Sequence, residues 1–106
     1  MVDVNTEVIK RAQQGDIKVL GDLYEKYHLG IYRYLFYRTG EHQAAEDLTS
    51  EVFERMLRFM GSLQASGANF QAWLFQIARN LANDHFRALH SRPQVELDER
   101  LAGSTE

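Results

Sequence analysis

Residues 70–87 read FQAWLFQIARNLANDHFR, a stretch in which apolar residues recur three or four positions apart. That period places the apolar residues on one side of a helix and the polar residues on the other. Asn69 is a candidate N-cap, and Pro93 prevents the helix from continuing past about residue 91. The sequence therefore predicts a helix over residues 70–91. Its predicted core side consists of Phe70, Trp73, Leu74, Ile77, Leu81 and Phe86.

Three further segments with helical periodicity precede this one, over residues 5–14, 16–39 and 42–60. Their apolar sides include Leu20, Leu23, Tyr27, Ile31, Tyr34 and Leu35 in the second segment and Ala45, Leu48, Val52, Met56 and Leu57 in the third. Asn5 or Thr6 is the candidate N-cap of the first of these helices, and Gly15 is its terminating glycine. Asp16 and Gly40 have the same two roles in the second helix, and Gly61 is the terminating glycine of the third. No stretch alternates long enough for a strand. We predict an all-α fold, a compact bundle of three long helices plus a short N-terminal helix.

The composition of the 106-residue chain, with 44% hydrophobic and 25% charged residues, is that of one globular domain. It contains no cysteine, which excludes disulfides and thiolate metal sites. No apolar run approaches the about 18 residues of a membrane span. The first 14 residues also lack the apolar stretch of a signal peptide. We therefore expect a cytoplasmic protein without membrane insertion.

Charge is distributed unevenly along the chain. The formal net charge of −3 by itself disfavours nucleic-acid binding, because nucleic-acid-binding domains are usually basic. Residues 41–57, however, contain five acidic residues and one arginine, a net charge of −4. Residues 70–92 contain three arginines and one aspartate, a net charge of +2. The overall value therefore hides one acidic segment and one basic segment.

No group of residues has the spacing of a catalytic or metal site. The histidines at 28, 42, 85 and 90 include no pair four residues apart, the spacing that places two imidazoles on one helical face. A di-metal helical bundle needs Glu-x-x-His on two helices, and Glu25–His28 is the single instance. A metal-dependent bundle enzyme is therefore the least favoured interpretation. We predict that the protein is not an enzyme and needs no cofactor or metal.

An acidic side is predicted for the third helix. Asp47, Glu51 and Glu54 are spaced four and three residues apart, so they share one face. Two interpretations of this face remain open. It is either a solvated surface with helical pairs such as Glu51–Arg55, or a docking stripe for a basic partner helix.

The polar side of the last helix carries residues suited to nucleic acid. Arginine binds phosphates, and asparagine can form two hydrogen bonds with a base edge. The aromatic residues of the second helix are too many for one core stripe, and exposed aromatics can stack on unpaired bases. From the pattern alone, ordinary polar cover of a soluble helix is the favoured explanation of the polar residues, and core packing or a partner interface explains most of the aromatic residues equally well. The polar residues in question are Gln76, Arg79, Asn80, Asn83 and Arg87.

Three segments, in this order, resemble region 2 of the extracytoplasmic-function (ECF) sigma factors of bacterial RNA polymerase. Residues 23–40, LYEKYHLGIYRYLFYRTG, are similar to region 2.1. Residues 44–58, AAEDLTSEVFERMLR, resemble the region 2.2 pattern A-E-D-L-x-Q-E-x-F. Residues 70–87 resemble the pattern F-x-x-W-L-x-x-I-A-x-N-x-x-x-D-x-x-R of regions 2.3 and 2.4. The resemblance covers residues 6–92.

The resemblance implies a transcription initiation factor that docks on core RNA polymerase, recognises the minus-ten promoter element and captures the melted non-template strand. Region 2.2 of the family docks on the coiled coil of the polymerase beta-prime subunit, and the loop matching residues 62–69 captures a flipped base. The implied polymerase-binding residues are Asp47, Leu48, Ser50, Glu51 and Glu54, with Ser50 where many members have glutamine. The implied DNA-binding residues are Leu63, Asn69, Gln76, Arg79, Asn80, Asn83 and Arg87.

The resemblance also implies a domain organisation and a further partner. Residues 1–92 correspond to the region 2 domain and residues 93–106 to the start of an interdomain linker, and the second, helix-turn-helix domain is absent. An anti-sigma factor is an expected partner. The alternative function is a sigma-like interaction bundle that acts through an anti-sigma partner without reading DNA. An exposed strip of Asn80, Asn83 and Arg87 favours DNA reading, whereas intramolecular pairing of these residues favours the alternative.

Overall fold

The structure is a computed structural model that describes residues 4–63 and 67–90, with the backbone alone for residues 67 and 68. It confirms the all-α bundle of three long helices and a short N-terminal helix. The candidate linker, residues 93–106, and loop residues 64–66 lie outside the described residues. In the described ranges no helix is long and apolar enough to cross a membrane. The elements are α1 (Thr6–Gln13), α2 (Ile17–Thr39), α3 (His42–Phe59), a 3-10 turn (Met60–Ser62) and α4 (Gly67–His90).

The predicted caps define the ends of α1 and α2. Asn5 Oδ1 accepts a hydrogen bond from the backbone amide three residues later at 2.9 Å. Asp16 Oδ1 accepts one from the amide two residues later at 3.1 Å. Each bond satisfies an amide that the first turn of a helix leaves without a partner. Gly15 follows α1 at φ 85° and Gly40 ends α2 at φ 73°, in the left-handed region that a β-carbon disfavours.

Two predicted helix-end signals are wrong, Gly61 for α3 and Asn69 for α4, and both lie next to the loop that precedes α4. Gly61 does not end α3 in a left-handed conformation but lies in the 3-10 turn, where Met60 is buried at 3% exposure. The first residue of α4 is Gly67, so Asn69 lies in the first turn and is not the N-cap. Small residues carry no hydrophobic period, and the sequence pattern therefore placed the start of the helix at Phe70.

The hydrophobic core lies where α2, α3 and α4 meet, and each of these helices contacts the other two. α1 packs on α2 and α4 and contributes Ile9 and Ala12. The Tyr27 ring lies 5.5 Å from the Phe70 ring, and burial raises the pKa of the Tyr27 phenol above its ordinary value. The largest fully buried side chains are Phe70, Ile9, Leu23, Ile31, Leu35, Met56, Leu74 and Val52.

Among the residues of α2, α3 and α4 that the hydrophobic period assigned to the core, Leu57 is exposed and six others are only half-buried: Leu20, Tyr34, Leu48, Trp73, Ile77 and Phe86. Leu57 is 57% exposed, and Phe53 instead packs into the core at 7% exposure. Met56 is on the side of α3 that the other helices cover, and Leu57 is turned about 100° away from it around the helix axis. Leu57 therefore faces solvent. Trp73 is half-buried against the core cluster rather than mostly buried. Periodicity identifies the apolar side of each helix. Which residues at the edge of that side are buried depends on how far the neighbouring helices cover it.

α1 also anchors the chain at the point where the loop before α4 begins. Gln13 Nε2 donates hydrogen bonds to the carbonyl oxygens of Met60 at 3.0 Å and Leu63 at 2.7 Å. Both bonds are partly buried and join residues that are 47 and 50 positions apart in sequence. One side-chain amide therefore holds the segment after α3 against α1.

We expect Gln13→Ala to lower the free energy of unfolding by about 1–3 kcal/mol, because it leaves two partly buried carbonyl oxygens without their donor. The matched control is Gln14→Ala, which removes the same side chain at the exposed next position. Urea unfolding of both variants measures the difference. Equal losses in the two variants would show that the Gln13 bonds do not stabilise the fold.

Candidate functional site

The polar face of α3 carries the acidic stripe, which we define as Asp47, Glu51 and Glu54. Asp47 and Glu54 are exposed, and the Glu51 side chain retains 43% of its accessible surface. Asp47 Oδ1 accepts from Gln43 Nε2 at 3.0 Å, and Glu51 Oε2 accepts from Arg55 Nη2 at 3.1 Å. Exposed pairs of this kind contribute at most about 1 kcal/mol. The carboxylates can therefore exchange these partners for the cations of another protein at little cost.

A groove of about 440 Å³ between α2 and α3 adjoins the acidic stripe. Asp47 and the exposed Ser50 line its α3 wall, while Leu48 is half-buried against the core. On the α2 wall, the rings of Tyr24 and His28 are stacked with centroids 4.8 Å apart. This surface therefore offers a partner a concave, partly aromatic wall next to the carboxylates.

A second groove, of about 350 Å³, lies between the first half of α2 and the second half of α3 and is almost entirely apolar. Ile17 and Leu57, at its edges, are 83% and 57% exposed. Exposed apolar surface of this kind is typical of protein interaction sites. The sequence did not indicate this groove, because the period of α3 assigns Leu57 to the core. Its lining residues are Ile17, Leu20, Gly21, Tyr24, Phe53, Met56 and Leu57.

The polar side of α4 presents Gln76, Arg79 and Asn80 to solvent, as the sequence predicted. Gln76 Nε2 donates to Asn80 Oδ1 at 2.9 Å, a bond between two exposed neutral side chains one turn apart. Arg87 is also exposed and pairs with Asp84 on the same helix. Exposed bonds between neighbouring turns are weak enough to exchange for contacts with a ligand. Asn80 and Arg87 are therefore accessible.

Asn83 does not belong to this exposed strip. Its side chain is half-buried, and Oδ1 accepts a hydrogen bond from Arg38 Nη2 on α2 at 2.6 Å. Asn80, Asn83 and Arg87 were expected either to form an exposed strip or to pair within the protein. Asn83 is paired with a residue of another helix, whereas Asn80 and Arg87 are exposed. The sequence did not indicate a role for Arg38, because a contact with a residue 45 positions away leaves no periodic signal.

The loop before α4 is described only at its two ends. Leu63 is half-buried and packs against the core, and its carbonyl oxygen is held by Gln13. Asn69 is exposed in the first turn of α4. The two candidate DNA contacts at the ends of the loop thus differ, because Leu63 is fixed by packing and Asn69 faces solvent.

The exposed aromatic residues of α2 lie on more than one side of that helix. Tyr37 is 84% exposed, and Tyr24 is 46% exposed. The rings of Tyr32 and Phe36 are stacked in parallel, and Phe36 also stacks on His42 at the start of α3 with centroids 4.6 Å apart. Part of the aromatic surplus of α2 therefore joins α2 to α3, and Tyr37 is left in solvent.

Metal ligands do not converge anywhere in the described ranges. Residues 4–63 and 67–90 contain no group of three or more histidine, aspartate or glutamate side chains arranged to hold a metal ion. The His28 ring hydrogen-bonds to the Tyr24 carbonyl oxygen at 3.1 Å and stacks on the Tyr24 ring. The single Glu-x-x-His of the sequence thus has its histidine engaged on the surface of α2.

The family model described as Sigma-70 region 2 matches residues 23–92, which include most of α2 and all of α3 and α4. This chain belongs to the sigma-70 region 2 family. All candidate contacts with polymerase or DNA lie inside the match. α1 and the Gln13 anchor precede the matched part of the chain.

Relatives of this sigma-70 region 2 chain include ECF sigma factors. BldN, an ECF RNA polymerase sigma factor of Streptomyces coelicolor, is 46% identical over 95 residues, which cover 90% of this chain and 36% of BldN. SigW of Bacillus subtilis, also an ECF sigma factor, is 31% identical over 96 residues, 91% of this chain and 50% of SigW. The chain therefore spans about a third to a half of the length of these curated relatives.

A solved structure is similar to this sigma-70 region 2 chain in both fold and sequence. A chain of the RsbN–BldN complex aligns with a TM-score of 0.67 and 48% identity. The alignment covers 76% of this chain and 58% of that chain. The recognition from sequence of an ECF-type region 2 is thus confirmed.

Proposed function

We propose that this chain docks on core RNA polymerase through the acidic stripe, recognises the minus-ten promoter element, and captures the melted non-template strand with α4 and the loop before it. The observation that carries the proposal is the separation of two exposed polar surfaces on different helices. α3 presents the carboxylates of Asp47, Glu51 and Glu54, and α4 presents Arg79, Asn80 and Arg87. Two chemically different partners, one basic and one anionic, can therefore be bound at once. The protein would act in the cytoplasm, where bacterial RNA polymerase works.

The docking part of the proposal rests on charge and shape. A basic coiled coil, such as that of the beta-prime subunit, finds three carboxylates on one helical face and a groove beside Asp47 and Ser50. Complementary charge steers association and fixes register, and the partly aromatic groove adds contact area. The exposed Asp47–Gln43 bond and the part-buried Glu51–Arg55 bond, whose side chains retain 43% and 38% of their accessible surface, give way on docking at little cost.

The strand-capture part requires no covalent chemistry. It requires that the protein bind single-stranded DNA more tightly than duplex, because such binding shifts the equilibrium towards melted DNA. Unstacking a base costs a few kcal/mol, and stacking the base on an aromatic side chain stabilises the complex by about 1–3 kcal/mol, which offsets part of that cost. The net charge of −3 disfavours binding of free duplex, so polymerase docking supplies much of the DNA affinity.

We expect Asn80→Ala to reduce the preference for a minus-ten strand over a scrambled strand by about tenfold, because it removes a base-edge contact of about 1–3 kcal/mol. Arg87→Ala is expected to weaken all strands about equally and to flatten the salt dependence, because it removes a phosphate contact. Fluorescence anisotropy with the polymerase-bound protein measures both effects.

The wild-type protein in the same assay must bind the minus-ten strand more tightly than the matching duplex. Gln71→Ala is the matched control, because Gln71 is an exposed residue of α4 outside the candidate set. An unchanged matched-to-scrambled ratio in Asn80→Ala would assign base reading to the loop instead. Equal binding of strand and duplex by the wild type would contradict the strand-capture proposal.

A second candidate function is a sigma-like interaction bundle that acts through an anti-sigma partner without reading DNA. The supporting observations are the solved complex of BldN with a second protein, RsbN, and the exposed apolar groove at Ile17 and Leu57. An anti-sigma factor that covered this surface would be compatible with the first function as well. The second candidate replaces the first only if the polymerase-bound protein binds no promoter strand.

A further inference from the structure

Arg38, on α2, has more contacts than the exposed candidate residues of α4 have. Its Nη2 donates to Asn83 Oδ1 at 2.6 Å, and its Nη1 donates to the Tyr34 hydroxyl at 2.7 Å. The guanidinium carbon lies 5.7 Å from the Tyr34 ring centroid and 5.6 Å from the Phe86 ring centroid. Two hydrogen bonds and two ring contacts therefore hold it between α2 and α4, and the residue is half-buried.

This arrangement determines which way the Asn83 amide points. Arginine has only hydrogen-bond donors, so the Asn83 atom that faces Arg38 must be the carbonyl oxygen. The bond is charge-assisted and partly buried, which makes it harder to break than the exposed neutral bond between Gln76 and Asn80. Because Asn83 Oδ1 is turned towards Arg38, the two N–H donors of Asn83 face away from the arginine and are the groups placed to meet a ligand.

We propose that Arg38 is a positioning residue of the DNA surface, which fixes Asn83 as a donor-only contact to an oxygen or nitrogen acceptor of the bound strand. This inference rests on the proposed strand capture. A free asparagine pairs with adenine through one donor and one acceptor, whereas a donor-only asparagine matches the acceptors of guanine, thymine or a phosphate. The carbonyl oxygen of Asn80 accepts a hydrogen bond from the exposed Gln76, which is easily displaced. Asn80 can therefore offer a ligand both a donor and an acceptor.

A double-mutant cycle tests the positioning role. The chains are wild type, Asn83→Ala, Arg38→Met and the double variant, each bound to core polymerase and titrated with the minus-ten strand. Methionine keeps an apolar stem against the Tyr34 and Phe86 rings but has no donors. Each single variant is expected to weaken strand binding about fivefold to tenfold, the contribution of one hydrogen bond. The double variant is expected to be no weaker than either single one, because both remove the same contact.

Asn83→Asp separates the strand contact from a merely structural role. The carboxylate still accepts from Arg38, so the thermal midpoint should not fall, but the N–H donors are gone. We expect strand binding to weaken at least as much as in Asn83→Ala. Arg33→Met is the charge control, because it removes one positive charge from an exposed position on the same helix. Its effect should be no more than about twofold, since one exposed charge is largely screened by salt.

Strands with each base substituted in turn, and strands with neutral methylphosphonate linkages, identify the acceptor. Loss of a preference for guanine or thymine in Asn83→Ala points to a base edge, and loss of sensitivity to one linkage points to a phosphate; either outcome supports the donor-only contact, whereas loss of a preference for adenine contradicts it. Additive effects in the cycle, wild-type binding by Asn83→Asp, or an equal effect of Arg33→Met would each overturn it. If Asn80→Ala and Arg87→Ala change strand binding while Arg38→Met does not, only this inference fails. If none of these variants changes it, the strand-capture proposal fails too.

Discussion

Replacing both Asp47 and Glu51 with lysine is expected to weaken binding to core RNA polymerase by at least about 100-fold, equivalent to about 2.7 kcal/mol. The two carboxylates lie one turn apart on α3, and lysine at both positions places positive charge where a basic coiled coil would dock. Juxtaposed like charges at an interface cost several kcal/mol. The helix itself should be preserved, because lysine is a good helix former and both positions are accessible.

A pulldown of core polymerase at moderate salt, with circular dichroism of the free variant, measures these two outcomes. The matched control replaces Glu7 and Glu25, two exposed acidic residues on α1 and α2, with lysine, which changes the net charge by the same amount. Retention of polymerase by the Asp47/Glu51 variant would exclude the acidic stripe as the docking surface. Equal loss in the control would attribute the effect to overall charge.

Phe70→Ala is expected to lower the free energy of unfolding by about 3–5 kcal/mol, as large-to-small changes of buried aromatic residues do. Phe70 is fully buried, and its ring lies 5.5 Å from Tyr27 and 5.8 Å from Trp73. Neighbours on α2 and α4 surround the ring, so its removal leaves a cavity that they cannot readily fill. Since small domains are stable by only about 5–15 kcal/mol, this one substitution removes much of the total.

Thermal unfolding measures the loss, at about 4–8 °C per kcal/mol for a domain of this size. Phe59→Ala is the matched control, because Phe59 is 46% exposed and should lose far less. The loss of stability in Trp73→Ala is expected to lie between those of Phe70→Ala and Phe59→Ala, since Trp73 is half-buried. A shift of only one or two degrees for Phe70→Ala would mean that the interface between α2 and α4 is not part of the stabilising core.

The helices and most of their ends could be predicted from the sequence because their determinants are local. Asn5 and Asp16 cap amides two or three residues away, and Gly40 ends α2 within a single residue. The spacing of three and four residues likewise fixed the buried sides that include Leu23 and Leu74. The acidic stripe and the exposed Arg79 and Asn80 followed from the same period, because a period identifies the polar side as clearly as the apolar one.

The state of each polar residue was decided by the tertiary structure. Asn83 has the same helical pattern as Asn80, but only Asn83 meets an arginine from α2, 45 residues earlier in the chain. Gln13 reaches carbonyl oxygens 47 and 50 residues away, and the exposure of Leu57 depends on where the bundle ends. Helical spacing records which residues share a face of their own helix. What lies opposite that face depends on how the helices pack, and only the folded chain brings Arg38 to Asn83.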